Sequence, residues 1–175
     1  MNPSLIPVNL PLGINVIASL LIDPMGRVRE GSSSRPLSSP EDRQRFLSLR
    51  TLADCILVGR RTWESESYSK TKTPVVVYSR RINPITQWNL EILRLQREYG
   101  PQIVIEAGPD LLGQLLKEDV IDRLYLTKTS RESRDESSPR FDLETFLFSE
   151  TMELIESIAG EEDFFEVYQR RSLST

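Results

Sequence analysis

Apolar positions along the chain fall into short runs separated by polar turns. Residues 14–22 are nearly continuous apolar sequence rich in β-branched side chains, the pattern of a strand covered on both faces, and are expected at the centre of a sheet. Residues 55–59 and 74–78 are further apolar runs bounded by turn or polar residues and read as buried strands. Another is predicted over 102–106, and in the next Leu124 and Leu126 alternate with Tyr125 and Thr127. Between these runs the spacing becomes helical. Ser39 can cap a helix with Pro40 in its first turn and Glu41 and Asp42 at its positive end, with Phe46, Leu49 and Ala53 on the buried face. A second stripe, Leu90, Leu93 and Arg97, lies within residues 89–98 and stops at Tyr99-Gly100-Pro101; a third comprises Leu111, Leu112, Leu115 and Leu116.

The remaining segments follow from turn chemistry. Residues 1–12 carry three prolines and no period, which predicts an extended arm before a single domain over 13–175. Asp23-Pro24-Met25-Gly26 turns the chain, the polar loop around 31–36 is a place for function, and the serine-rich, charged stretch 130–140 reads as a mobile surface loop. Residues 151–158 and 164–168, joined by Gly160-Glu161-Glu162-Asp163, predict a terminal antiparallel hairpin. The alternation of strands and helices therefore predicts an α/β fold: a mostly parallel central sheet flanked by helices, with an antiparallel C-terminal hairpin.

Composition narrows the chemistry. With 38% hydrophobic and 27% charged residues the 175-residue chain reads as one soluble domain. A net charge of −4 argues against nucleic-acid or membrane-surface partners, so an anionic ligand must meet a local basic cluster. The apolar run 14–22 is far shorter than the ~20 residues that cross a bilayer, and a cytoplasmic protein is expected. There is no histidine and one cysteine, which excludes disulfide frameworks, Cys/His zinc sites and histidine relays; no metal is expected, and Cys55 reads as a core residue. Carboxylates, arginines, lysines and a cofactor must carry any reaction.

Two segments have the chemistry to hold phosphates. Gly59-Arg60-Arg61-Thr62-Trp63-Glu64-Ser65 leaves a buried strand with backbone amides, a hydroxyl and two guanidinium groups, and equally describes a basic turn with Trp63 packed in the core. Glu106-Ala107-Gly108-Pro109 is a strand-glycine-helix junction that can present amides to a phosphate. The first segment resembles the cofactor-binding segment of dihydrofolate reductases, and Tyr78-Ser79-Arg80-Arg81 resembles the element with which that superfamily contacts the 2′-phosphate of NADPH.

A broader resemblance covers about residues 14–127, to the reductase domain of the bifunctional deaminase-reductase of riboflavin biosynthesis. It is carried by Ala18-Ser19, Asp23 and Gly26, by Ser34-Arg35-Pro36-Leu37-Ser38-Ser39-Pro40-Glu41-Asp42-Arg43, by Leu49-Arg50 and Ala53-Asp54, by Ile56-Leu57-Val58-Gly59 with Thr62, by Val104-Ile105-Glu106-Ala107-Gly108-Pro109, and by Val120-Ile121-Asp122. The resemblance implies a dihydrofolate reductase-like fold and NADPH contacts at Ala18, Gly59, Arg60, Arg61, Thr62, Ser79, Arg80, Ala107, Gly108, Pro109, Leu111 and Leu112. It implies a phosphorylated pyrimidine substrate at Ser34, Arg50 and Glu106, with Arg50 and the nearby Lys70 expected to hold the phosphate and Asp23 or Glu106 to orient sugar hydroxyls or relay a proton during hydride transfer to ribose C1. Ser34, Arg50 and Glu106 also have plain readings as a loop residue, a solvated helix residue and a helix-capping acid. The resembled domains pair through their sheets, so a homodimer is expected.

The chain departs from that pattern at Ala107, where a second glycine is usual, at Pro36, where a tryptophan is usual, and at Glu66-Ser67-Tyr68, which replaces an Asp-Asp-Pro turn. The arginine that usually follows for the substrate phosphate is missing, although Lys70 and Lys72 lie close. No zinc-deaminase signature is present, so a stand-alone reductase is expected. The alternatives are a folate or pterin reductase, although the first loop lacks the Leu-Pro-Trp element of dihydrofolate reductases, and a non-catalytic NADPH-binding protein.

Overall fold

The computed structural model describes residues 10–82, 84–147 and 151–171. Seven strands form one sheet: β1 (Val16–Ile22), β2 (Cys55–Gly59), β3 (Val75–Tyr78), β4 (Ile103–Glu106), β5 (Arg123–Thr129), β6 (Met152–Ala159) and β7 (Asp163–Arg170). Their order is β3-β2-β4-β1-β5-β7-β6, which puts β1 in the middle, as its two-sided apolar pattern requires. The first five strands pair in parallel and β7 runs antiparallel to both β5 and β6. The expected hairpin is therefore present, with a bulge between Leu154 and Glu156.

Period-two alternation divides the core into two layers. Ala18, Leu57, Ile105 and Leu124 point to one side, where they meet Trp88, Ile92 and Leu95 of α3 (Trp88–Tyr99), Leu111, Leu112 and Leu115 of α4 (Pro109–Lys117) and Phe146 of α5 (Leu143–Leu147). Ile17, Ile56, Val104 and Tyr125 point to the other, under Leu49 of α1 (Pro40–Thr51) and Tyr68. Ser39 caps α1, accepting a hydrogen bond from the Asp42 amide, and α2 (Arg60–Ser65) follows β2 directly.

Four expectations change. In α3 the buried phase is 88, 92 and 95, so Leu90 and Leu93 lie on the open face, 60% and 47% exposed. Ala53 lies beyond the end of α1, and Phe46 is half-buried with two arginines over its ring. Tyr125 and Thr127 are buried because β5 sits between β1 and β7 with both faces covered. Trp63 is 41% exposed and stacks on Tyr68 instead of entering the core. Of the expected arm, residues 1–9 lie outside the described residues.

The serine-rich stretch 130–140 is tied down. The Asp23 carboxylate, 2% exposed, accepts the amides of Met25 (2.8 Å), Arg27 (2.7 Å) and Ser133 (3.0 Å). Ser133 Oγ donates to the Arg29 carbonyl at 2.7 Å, and Ser138 Oγ accepts the amides of Val28 and Arg29. Gly26, at φ +77°, completes the join: its carbonyl accepts the Phe141 amide, and a Cβ at Gly26 would stand 2.7 Å from the Phe141 carbonyl oxygen. Polar composition suggested mobility, but buried acceptors that reach backbone amides hold both segments. Asp23→Ala leaves three amides without their acceptor and is expected to cost about 2–3 kcal/mol, read as a lower urea midpoint. Parent-like stability would refute this tie.

Candidate active site

Parallel strands end on one edge of the sheet, and there the chain forms an open cleft of about 510 Å³. Its walls come from the end of β1 and the following loop, the starts of α1 and α2, the end of β3, and the junction of β4 with α4. Of the residues predicted from sequence, Ser34, Gly59, Arg60, Arg61, Thr62, Ser79, Arg80, Glu106, Ala107, Gly108, Pro109 and Leu111 line it. Segments from four parts of the chain thus meet in one place. Ala18 and Leu112 lie in the core beneath, each 1% exposed. Asp23 is occupied by backbone amides outside the lining, and Lys70 is exposed outside it.

Glu106, the last residue of β4, sits at the centre of a buried clamp. Arg50 donates from Nε to Oε1 at 2.6 Å and from Nη2 to Oε2 at 2.7 Å, and the Tyr68 hydroxyl donates to Oε2 at 2.7 Å. The Arg50 and Glu106 side chains are 12% and 3% exposed. The Arg50 guanidinium lies over the rings of Phe46 (4.4 Å) and Tyr68 (4.7 Å), and Tyr68 stacks on Trp63 with ring centres 5.1 Å apart. Burial works against the Arg50 charge, but the hydrogen bonds and charge of Glu106 outweigh it and hold the group above its ordinary pKa. The Tyr68 phenol is pushed well up, first by burial and then by the neighbouring Glu106 charge.

This clamp alters the roles expected of both residues. With two of its donors on Glu106 and its plane covered by aromatic rings, Arg50 is a positioning group for the carboxylate, not an open phosphate binder. A carboxylate has about four acceptor positions. Three are filled here, which leaves Glu106 with one open acceptor position in the lining of the cleft. Ser34 is also engaged: Glu66 Oε1 accepts the Ser34 amide and the hydroxyls of Ser33 and Ser34, joining the first loop to the segment after α2. Tyr68, Phe46 and Glu66 carried no local signal of a site, because each acts on a partner that only folding brings near.

The cleft is basic although the chain is acidic. Seven arginines, at 29, 35, 43, 60, 61, 80 and 81, line it against five acids, at 42, 64, 66, 106 and 110. Glu64 pairs with Arg60, Asp110 with Arg80 and Glu106 with Arg50, while Glu66 and Asp42 accept serine donors. Arg35, Arg43, Arg61 and Arg81 form no ion pair among the described residues. Also at the cleft, α4 starts behind Gly108 without a side-chain cap, leaving the first helical amides open.

Among solved structures, the chain is similar to a pyrimidine reductase-like protein from Corynebacterium diphtheriae, with a TM-score of 0.67 at 18% identity over 93% of this chain and 96% of the other. A second is a riboflavin biosynthesis protein from Shewanella sp. PV-4, with a TM-score of 0.66 at 16% identity over 90% and 99%. The chain has the pyrimidine reductase-like fold. A diaminohydroxyphosphoribosylaminopyrimidine deaminase/5-amino-6-(5-phosphoribosylamino)uracil reductase from Thermotoga maritima shares it, with a TM-score of 0.67 at 10% identity over 90% of this chain and 56% of that longer one. No protein-family model and no curated protein matches the sequence. Among the described residues no helix is long and apolar enough to cross a membrane.

In this reductase-like fold, the Glu106 clamp makes a direct stability prediction. Arg50→Ala strands a buried carboxylate and is expected to cost about 3–5 kcal/mol, measured by urea unfolding. Adding Glu106→Gln removes the stranded charge and should recover part of the loss; two independent, additive losses would refute the clamp.

Proposed function

We propose that the chain is an NADPH-dependent reductase of the riboflavin pathway, acting on a 5-amino-6-(5-phosphoribosylamino)uracil-like substrate. The observation that carries this reading is the basic cleft at the strand ends of a pyrimidine reductase-like fold, lined by unpaired arginines and a clamped Glu106. When bound, NADPH would supply a hydride for C1 of the ring-opened ribosylamino group, whose C1=N bond becomes a C–N single bond as the nitrogen takes a proton from solvent.

The donor set fits that cofactor. Arg61 and Arg81, with Arg60, Arg80 and Ser79, offer guanidinium and hydroxyl donors suited to a 2′-phosphate, and the exposed pairs of Arg60 with Glu64 and Arg80 with Asp110 are weak enough to be exchanged for a ligand. Gly59 and Thr62, with the amides opening α4 behind Ala107, Gly108 and Pro109, suit the pyrophosphate, and Leu111 provides an apolar wall. Ala18 and Leu112 support this arm from beneath. Glu106 accepts a hydroxyl or amide N–H of the bound ligands and so orients the reacting carbon. Asp23 serves the turn and takes no part in the chemistry.

Residues 13–175 act as one reductase domain in this reading, in the cytoplasm. Two copies pair as a homodimer through the sheet edge at β6, where Leu154 and Ile155 are exposed, with Phe164 of β7 exposed nearer the turn of the hairpin. Light scattering is expected to give a dimer mass; a monomer mass across a wide concentration range would remove this part of the reading.

NADPH should bind more tightly than NADH, and Arg60→Ala and Arg80→Ala should each weaken NADPH by roughly tenfold while leaving NADH almost unchanged. Fluorescence titration of both cofactors checks this, and equal affinities in the parent chain would refute it. NADPH oxidation is expected with the deaminated pyrimidine phosphate and not with dihydrofolate. Glu106→Gln should slow that turnover while NADPH binding stays close to the parent value.

A further inference from the structure

We infer that Asp42 is the acid of the cleft, the group through which a proton from solvent reaches the substrate nitrogen as C1 takes the hydride. The identity of the reaction rests on the reductase reading, whereas the acid itself follows from the packing around it.

Five carboxylates line the cleft, and three of them face an arginine: Glu64 meets Arg60, Glu106 meets Arg50 and Asp110 meets Arg80. A carboxylate that faces an arginine has no proton to offer. Of the other two, Glu66 is half-buried and takes three donors of the first loop on one oxygen. Asp42, in the first turn of α1, is 9% exposed and meets no arginine or lysine within ion-pair distance among the described residues. Its position is fixed from three directions. The Ser38 hydroxyl donates to Oδ2 at 2.5 Å, the Thr127 hydroxyl of β5 donates to the same carboxyl group, and the Asp42 amide donates to Ser39 Oγ at 3.1 Å.

Behind Asp42 lies a second acid. Asp163, the first residue of β7, is 1% exposed, and Ser39 joins the two: its hydroxyl accepts the Asp42 amide and donates to Asp163 Oδ2. Asp163 Oδ1 is buried without a partner. The arginine whose charge reaches Asp42 is Arg45, one turn further along α1. Its guanidinium lies over the rings of Tyr125 and Phe165 and donates to the carbonyls of Leu126 and Glu166, not to either acid. The neighbouring charges are engaged elsewhere: Arg43 lies over Phe46, Lys128 pairs with Glu166, Glu41 accepts the Glu161 amide, and the exposed Glu156 faces Arg45 from β6. Two buried carboxyl groups beside one arginine that binds neither are held most cheaply with a proton between them. Burial first, and then the Asp163 charge, accordingly raise the Asp42 carboxyl above its ordinary range against the pull of Ser38, Thr127 and Arg45. Of the two acids only Asp42 lines the cleft, so the proton is exchanged there.

The step balances. Hydride adds to C1, the π electrons of the C1=N bond pass to nitrogen, and nitrogen takes the proton as the Asp42 O–H bond breaks. The Asp42 carboxylate left beside Asp163 regains a proton from solvent. Asp163 acts through Asp42 and is a positioning residue.

Two measurements test this. Infrared titration of the free chain, which distinguishes a protonated carboxyl from a carboxylate, is expected to show a carboxyl that keeps its proton above the ordinary carboxylate range and that is lost in Asp42→Asn. That variant should also gain urea stability relative to the parent as pH rises, because the folded parent holds a proton that the unfolded chain releases. With NADPH and the deaminated pyrimidine phosphate, Asp42→Asn is expected to lower kcat by roughly a hundredfold while NADPH affinity and substrate KM stay near the parent values. Parent turnover should fall as pH rises through the Asp42 titration. Asp163→Asn should move that limb to lower pH, since the like charge that keeps the proton on Asp42 is gone. A parent-like kcat in Asp42→Asn, or a retained carboxyl proton that persists in that variant, overturns the inference. If the parent chain oxidises no NADPH with the pyrimidine phosphate, the reductase reading fails, and the infrared titration still decides whether Asp42 holds a proton at the cleft.

Discussion

The bidentate contact between Arg50 and Glu106 sets the position of everything else at the strand ends. It joins the last turn of α1 to the end of β4, two elements 56 residues apart in the chain, across the face of the sheet. Removing two charges from water costs several kcal/mol per ion unless the geometry and the remaining hydrogen bonds are good. Here both carboxylate oxygens are used, Tyr68 adds a third donor, and two aromatic rings cover the guanidinium. The pair is therefore a strong constraint on angle and register even if its net contribution to stability is small. The Tyr68 ring lies between Arg50 and Trp63, and its hydroxyl fills a third acceptor position of the carboxylate.

That constraint organises the charge of the cleft. An acidic chain gathers seven arginines around one opening, and the acids among them are each engaged by a hydroxyl or a guanidinium. What remains is an excess of positive charge around the opening, tempered by the Glu106 clamp. Such a field draws anions in, so a local basic cluster needs no positive charge on the molecule as a whole.

Several irregular segments are held by a carboxylate that accepts backbone amides. Asp23 fixes the turn after β1 to the 130–140 stretch, and Asp122 accepts the amides of Asn15 and Val16 and a donor of Arg170, tying β1 to the C-terminal strand. Glu66 gathers Ser33 and Ser34 in the same manner. In each case a carboxylate supplies acceptors where the chain leaves the regular ladder, which lets irregular segments pack without stranding their N–H groups.

Local pattern determined the strands, the helices α1, α3 and α4, the central place of β1, the terminal hairpin and the two phosphate-suited junctions, because burial on one or both faces imposes a period on neighbouring residues, whereas the short α2 and α5 left no such period. Resemblance added which of those junctions share a site, and twelve of the residues it implied do line one cleft. Tertiary structure decided what no period records. The buried phase of α3 depended on which stripe met the sheet, and the tie on 130–140 depended on Asp23, more than a hundred residues away. Arg50 carries the same local sequence whether it faces a ligand or a carboxylate, and only the approach of β4 and Tyr68 makes it a positioning group. Side-chain chemistry is written in the sequence, but the partner that consumes or leaves free each donor is set by contacts between distant segments.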